Sequence, residues 1–391
     1  MESELKIHRD RNVYILGAGF SCDAGFPIVS NFLNCMRDAC DWLKDARREK
    51  EYKSVERVFQ FRLRAASAGL RINLNVENIE DLFSLASAND NDSLKNDVVI
   101  AIAATLDYVK SHLKGNSCKV CNSTIKQPPS WLQRTDREMH EMNTYSCSPY
   151  HLYAGIISRT LWPGPHDSYD TVITFNYDTV LEDALLDIGV KFHYGFSESE
   201  GITFSSSKSI SPNSTLDALP ILKLHGSVNW GTKSNPDRIN VFERYQNILE
   251  SDYSVLLVPP TWRKAFDGAL LKVWDSAVKA LSMATRIVII GFSMPATDAH
   301  FKYLLAAGLQ QNISLRKIIF INPEIEQLEK NVNDIIRPDL KKQGILAPLE
   351  SITTEDFFLT KKLNAIDLKL PHAYSQLSIA RPDGAIRNII V

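Results

Sequence analysis

The chain has 391 residues, 44% of them hydrophobic and 23% charged, with a formal net charge of −2. That length and apolar fraction suit a large buried core, in one domain with an insertion or in two, and the near-neutral charge gives no electrostatic reason to expect direct nucleic-acid binding. No apolar run reaches membrane-spanning length, the charged start of the chain lacks a signal-peptide core, and six cysteines fit reduced thiols, so a cytoplasmic protein is expected.

The first apolar run, Val13–Leu16, reads as a buried parallel strand. It empties into Gly17, Ala18 and Gly19, followed by Ser21, Gly25 and Pro27. Glycine lets the main chain approach a ligand without a Cβ, so the amides of such a turn can face a phosphate. From Ser30 to about Leu113 the spacing turns helical: Phe32, Leu33, Met36, Ala39, Cys40 and Leu43, then Val55, Val58, Phe59 and Leu63, then Val98, Ile102, Leu106 and Val109. These residues are expected to form a helical module, residues 31–149, inserted into a sheet domain made of residues 1–30 and 150–345. Arg47-Arg48-Glu49-Lys50 and Lys341-Lys342 read as solvated surface. Between Lys114 and Tyr150 the periodicity is lost. Cys118 and Cys121, with His140, Cys147 and His151, carry zinc-ligand chemistry, but the spacing is irregular and no metal is expected.

A helical pattern returns at Pro149, and Asp170–Asp178 is an apolar run ending in Asn176 and Asp178, with a helix to follow. The Ser-rich stretch Phe204–Thr215 reads as a loop. Further strands are expected at Ile221–Leu224, ending in His225; at Val255–Val258; at Arg286–Ile290, ending in Gly291 and Ser293; and at Lys317–Ile321, ending in Asn322 and Glu324. A helix from Thr297 to Leu309 separates the last two. Strands alternating with helices imply an α/β fold, a Rossmann-like doubly wound parallel sheet with a largely helical insertion. Residues 346–391, a C-terminal extension of short mixed segments, are not assigned to the core.

In such sheets the ligand crevice lies at the carboxyl ends of the strands, where this chain places its polar residues. Each has an ordinary alternative, since Asn and Asp cap helices, a lone His is commonly structural and Gly-x-Ser makes turns. Five strands ending this way point to one shared site.

In their order these segments resemble the sirtuin family. Gly17-Ala18-Gly19-Phe-Ser21 with Gly25 and Pro27 is similar to its phosphate loop, Asn176-Tyr-Asp178 to its Asn-x-Asp nicotinamide motif, Leu224-His225-Gly226 to its catalytic histidine, Gly291-Phe-Ser293 to its ribose contact, and Asn322-Pro-Glu324 to its adenosine-ribose segment. Three departures stand out. Ile28-Val29-Ser30 replaces the Pro-Asp-Phe-Arg sequence of deacetylases, Phe175 stands where they carry Gln, and one Cys-x-x-Cys replaces their four-cysteine module.

The pattern is closer to bacterial antiphage effectors that resemble sirtuins but hydrolyse NAD, above all the compact kind that works with a HerA-like ATPase. The resemblance implies an NAD glycohydrolase that depletes NAD on activation, an abortive-infection strategy, in a homo-oligomer with that partner. His225 is then the general base, Asp178 holds the carboxamide or supplies charge near the ribose, and Asn176 orients ribose or water. The loop Gly17–Ser21 takes the pyrophosphate, and Ser293, Asn322 and Glu324 the adenosine side. Two alternatives remain: an NAD-dependent deacylase or ADP-ribosyltransferase, and a non-catalytic nucleotide-binding regulator.

Overall fold

A computed structural model describes residues 11–69, 71, 74–88, 92–113, 149–160, 170–196, 203–204, 218–233, 238–261, 268–294, 299–359, 377–380 and 386–389. Strands β1 (Asn12–Leu16), β2 (Thr171–Thr174), β3 (Phe192–His193), β5 (Leu219–Lys223), β9 (Arg286–Ile290) and β10 (Lys317–Ile321) form one sheet in the order β10-β9-β1-β2-β5-β3. All of its pairings are parallel, with Ile15 in register with Ile173 on one side and Ile289 on the other. Parallel strands covered on both faces need apolar residues at every position, which is why β1 and β9 read as unbroken runs. Helices at Pro149–Ile157, Val180–Asp187, Ala269–Ser282, Ala299–Leu309 and Ile325–Ile335 supply that cover through residues such as Tyr153, Leu185, Val273, Phe301 and Leu328. The chain runs from β1 to β2 on one side and later returns through β9 on the other. A topological switch point therefore lies between the carboxyl ends of β1 and β9.

A second core joins four helices to a small sheet. The helices are Phe32–Asp45, Glu49–Gly69, Ile79–Ser87 and Asp92–Leu113. The sheet, in order β4-β7-β6-β8, contains β4 (Thr203–Phe204), β6 (Gly226–Thr232), β7 (Ile239–Val241) and β8 (Ser254–Leu257). Met36, Leu43, Val55, Val58, Val98 and Ile102 pack there with Val228, Phe242 and Leu257. The helical spacing anticipated these contacts, except that Leu63 faces solvent and Phe61 and Ala65 take the inner face. Arg48 corrects another expectation. Its guanidinium is half-buried, pairs with Glu51 and Asp107 and lies over the Trp42 ring, so it braces the helices from within.

The run at Val255–Val258 also differs from its expectation. It pairs antiparallel with β6 instead of joining the parallel sheet. Hydrophobicity marks a strand without naming its neighbour, and only two residues, Leu224 and His225, separate β5 from β6, which places a partner strand next to β8. Beyond Ile345, Leu346 bridges Ile318, while Phe357 and Phe358 are buried in the main core, the latter stacked on Tyr153. A pair of antiparallel strands, β11 (Leu377–Ala380) and β12 (Ile386–Ile389), follows. Cys118, Cys121, His140 and Cys147 lie outside the described residues, and His151 pairs with Asp187.

Candidate active site

At the switch point the loop after β1 meets the loop after β9, backbone against backbone. The Gly17 amide donates to the Ile290 carbonyl at 2.9 Å and the Gly19 amide to the Gly291 carbonyl at 2.8 Å. These two amides are thus engaged within the protein, where the glycine pattern suggested donors facing a phosphate. What the glycines provide is close approach. A Cβ on Gly291 would stand 2.2 Å from the Phe20 nitrogen and 2.4 Å from the Gly19 carbonyl carbon, and its φ is +62°. Gly291→Ala is expected to cost about 2–4 kcal/mol, the sum of overpacking and a left-handed backbone. Gly344→Ala, at φ +72° with open space around it, should lose only the backbone share, about 1 kcal/mol. Denaturant unfolding of the two variants checks the difference.

Asn176 and Asp178, in the loop after β2, reach across to the first loop. Asn176 Nδ2 donates to the Gly17 carbonyl at 2.9 Å and to Ser21 Oγ at 3.2 Å. Ser21 Oγ donates in turn to Asp178 Oδ1 at 3.1 Å, which also accepts from the Val180 amide at 3.0 Å and so caps the following helix. All three side chains are buried. Tyr150 holds the same loop from beneath, its hydroxyl donating to the Phe20 carbonyl at 2.6 Å and accepting from the Ala24 amide at 3.1 Å.

His225 stands where the chain leaves the parallel sheet and enters the small one. Gly226 makes that turn at φ +78°, and a Cβ there would lie 2.2 Å from the Leu256 carbonyl oxygen, which accounts for the His-Gly pairing. The His225 carbonyl accepts from the Val258 amide at 2.9 Å. Its imidazole is buried, edge-on to Phe175 at 5.1 Å and 6.1 Å from the Tyr177 ring. Phe175 stacks on Phe292 at 4.8 Å, and both contact Phe301. An aromatic wall therefore joins the strand ends of β2, β5 and β9.

The remaining residues stand further out. Gly25 turns at φ +83° and donates to the Cys22 carbonyl; Pro27 is buried; Ala18 is half-buried. Ser293 is exposed, with its carbonyl accepting from Asn331 Nδ2 at 2.7 Å. Asn322 is buried and caps the Glu324 amide at 2.9 Å, while the Glu324 side chain is exposed.

Sequence reasoning passed over Lys223 and Glu182. Lys223 is 1% exposed, and its ammonium donates to the Asp178 carbonyl and to Glu182 at 2.8 Å. Burial pushes the Glu182 carboxyl up, opposed by Lys223. A lysine inside the apolar run of β5 was the available signal. Beside this network a cleft opens between the helical segment and the small sheet, lined among others by Phe26, Lys110, Asp178, Thr179, Val228 and Tyr245. Among the described residues no cluster of metal-ligating side chains is found.

Residues 170–335 match the family model described as SIR2-like domain. Solved structures that align with the chain include a Sir2 in complex with an inhibitor, 2′-O-acetyl-ADP-ribose and a deacetylated peptide, at 13% identity and TM-score 0.37, covering 94% of this chain and 100% of that one. A substituted Sir2 homologue with 2′-O-acetyl-ADP-ribose aligns at 15% identity and TM-score 0.42, covering 95% and 100%. A Sir2 with a peptide and NAD aligns at 13% identity and TM-score 0.36, covering 94% and 99%. No curated protein matches. The stretch similar to the SIR2-like domain holds the ends of β2, β5 and β9, with Asn176, Asp178, His225 and Gly291.

Proposed function

We propose that this chain is an NAD glycohydrolase, cleaving NAD to nicotinamide and ADP-ribose. The observation that carries the reading is the buried Ser21–Asn176–Asp178 network, which ties the loop at the switch point to the motif bordering the cleft. Nicotinamide leaves with the electron pair of its bond to ribose C1′, through a transition state with oxocarbenium character. Water then bonds to C1′ and surrenders a proton to His225. Asp178 supplies negative charge at the cleft, Asn176 fixes the Gly17 carbonyl and the Ser21 hydroxyl, and Gly17, Ala18, Gly19 and Ser21 bound the pyrophosphate side. Gly25 and Pro27 shape the loop, and Gly291, Ser293, Asn322 and Glu324 flank the adenosine side.

Hydrolysis is favoured over acyl transfer by Phe175, whose ring packs against both His225 and Phe292 where deacetylases carry a polar side chain. By its resemblance to antiphage effectors, the chain acts in bacterial defence as a cytoplasmic homo-oligomer with a HerA-like ATPase, the helical insertion of residues 31–149 and the C-terminal extension offering oligomer surfaces. Nicotinamide release from NAD, by the purified chain alone and with a genomically adjacent ATPase, is expected without any acylated peptide. Release that requires an acyl-lysine peptide, or no release in either setting, would remove the hydrolase reading.

A further inference from the structure

The helix Val180–Asp187 begins beside the site in an indirect way. Thr179 occupies its N-cap position, where a threonine hydroxyl ordinarily accepts from a first-turn amide, yet it makes no cap bond. Asp178 Oδ1 takes that role through the Val180 amide. The Thr179 hydroxyl accepts from Lys110 Nζ at 2.6 Å and donates to Asp183 Oδ2 at 3.2 Å, while Lys110 pairs with Asp183 at 2.7 Å. Lys110 belongs to the last turns of the long helix Asp92–Leu113, outside the parallel sheet altogether. Thr179 is 5% exposed and the Lys110 side chain 22%, against 48% for the Asp183 side chain, so the bond of the ammonium to Thr179 is withdrawn from water while its ion pair stays solvated. Lys110, Asp178 and Thr179 line the same cleft.

The geometry points to Lys110 as a positioning residue for Asp178. By holding the hydroxyl of Thr179 and the carboxylate of Asp183, it keeps Thr179 from capping the helix and leaves that place to the Asp178 carboxylate. The inserted helix thereby sets where this carboxylate stands at the cleft. Lys223 grips the Asp178 carbonyl from within the sheet, so the Asp178–Thr179 segment is held from both sides, once by each core. A shift of the long helix relative to the sheet would release one hold and keep the other. The inference deepens the NAD-cleaving reading and rests on it for its kinetic test.

Lys110→Met keeps the aliphatic stem and removes the ammonium, Lys110→Arg restores a charged donor, and Lys95→Met, from the exposed Lys95–Asp92 pair on the same helix, serves as control. In the full chain, hydrogen exchange at the amides of residues 178–187 is followed beside NAD turnover. Lys110→Met is expected to speed exchange there about 10-fold and to lower kcat about 10-fold with KM within about 2-fold of the parent. Lys110→Arg should recover most of both, and Lys95→Met should match the parent. Unchanged exchange in Lys110→Met, an unchanged kcat in an active enzyme, or equal losses in Lys95→Met would overturn the assignment. A parent chain that releases no nicotinamide defeats the hydrolase reading, and the exchange measurement then reads Lys110 by itself.

Discussion

Replacement of His225 by alanine is expected to reduce nicotinamide release from NAD by about 10²–10⁴-fold while the chain stays folded. The two parts of that expectation have separate causes. The fold uses the backbone of this residue: its carbonyl accepts from Val258 and its successor Gly226 makes the turn into the small sheet, and alanine preserves both. What is lost is the ring beside Phe175 and Tyr177, a stability cost of about 1–3 kcal/mol for a buried side chain of this size. In the proposed reaction the variant lacks the group assigned to accept the proton of water. Circular dichroism and thermal unfolding confirm the fold, and a nicotinamide assay reads the chemistry. An alanine variant with full turnover would show that the imidazole is structural.

Lys223→Met should destabilise the chain by about 3–5 kcal/mol near neutral pH, because it leaves the Glu182 carboxylate buried and uncompensated. The pH dependence has a definite sign. Burial raises the Glu182 carboxyl above its ordinary range, so the folded chain favours the protonated form. That contribution to stability is present below the unfolded pKa and is lost as pH rises through the folded one. Removing Lys223 removes the largest opposing influence and moves the carboxyl further up. The penalty is therefore smaller at acid pH and grows toward alkaline pH. Urea unfolding at pH 5 and pH 8 reads the difference. Pairing the substitution with Glu182→Leu should recover most of the loss, since an apolar pair of similar volume avoids desolvating two charges. A loss that is equal at both pH values and unaffected by the second substitution would place the cost in packing alone. The same variant frees the Asp178 carbonyl from its donor, so turnover should fall with stability.

Much of the parallel sheet was legible in the residues. Apolar runs at Val13–Leu16, Arg286–Ile290 and Lys317–Ile321 became β1, β9 and β10 because a strand covered on both faces must be apolar throughout. The polar residues that close those runs were legible for the complementary reason: where the strand leaves the core, its cover ends. The helices of residues 32–113 were written in the same way, by a period of three and four.

Other features depended on which surfaces meet, and no local pattern holds that information. Val255–Val258 is apolar enough for either sheet, and only the turn at Gly226 gives it an antiparallel partner. Phe357 and Phe358 lie in a stretch without periodicity, and their burial follows from a return to the sheet through Leu346 and Ser351. Arg48 resembles surface charge until Asp107, 59 residues away in the chain, meets it across a helix pair. Gly17 and Gly19 were marked by their type, yet their amides are satisfied by the end of β9, which sequence places more than 270 residues later. By itself the sequence determined where the strands and helices run and which polar groups end them, because burial imposes composition locally. Only the tertiary structure decided that Asn176, Ser21 and Asp178 share one network, that an aromatic wall stands beside His225, and that lysines from two separate cores hold one short segment, because hydrogen bonds and ion pairs depend on distances between elements that local composition does not encode.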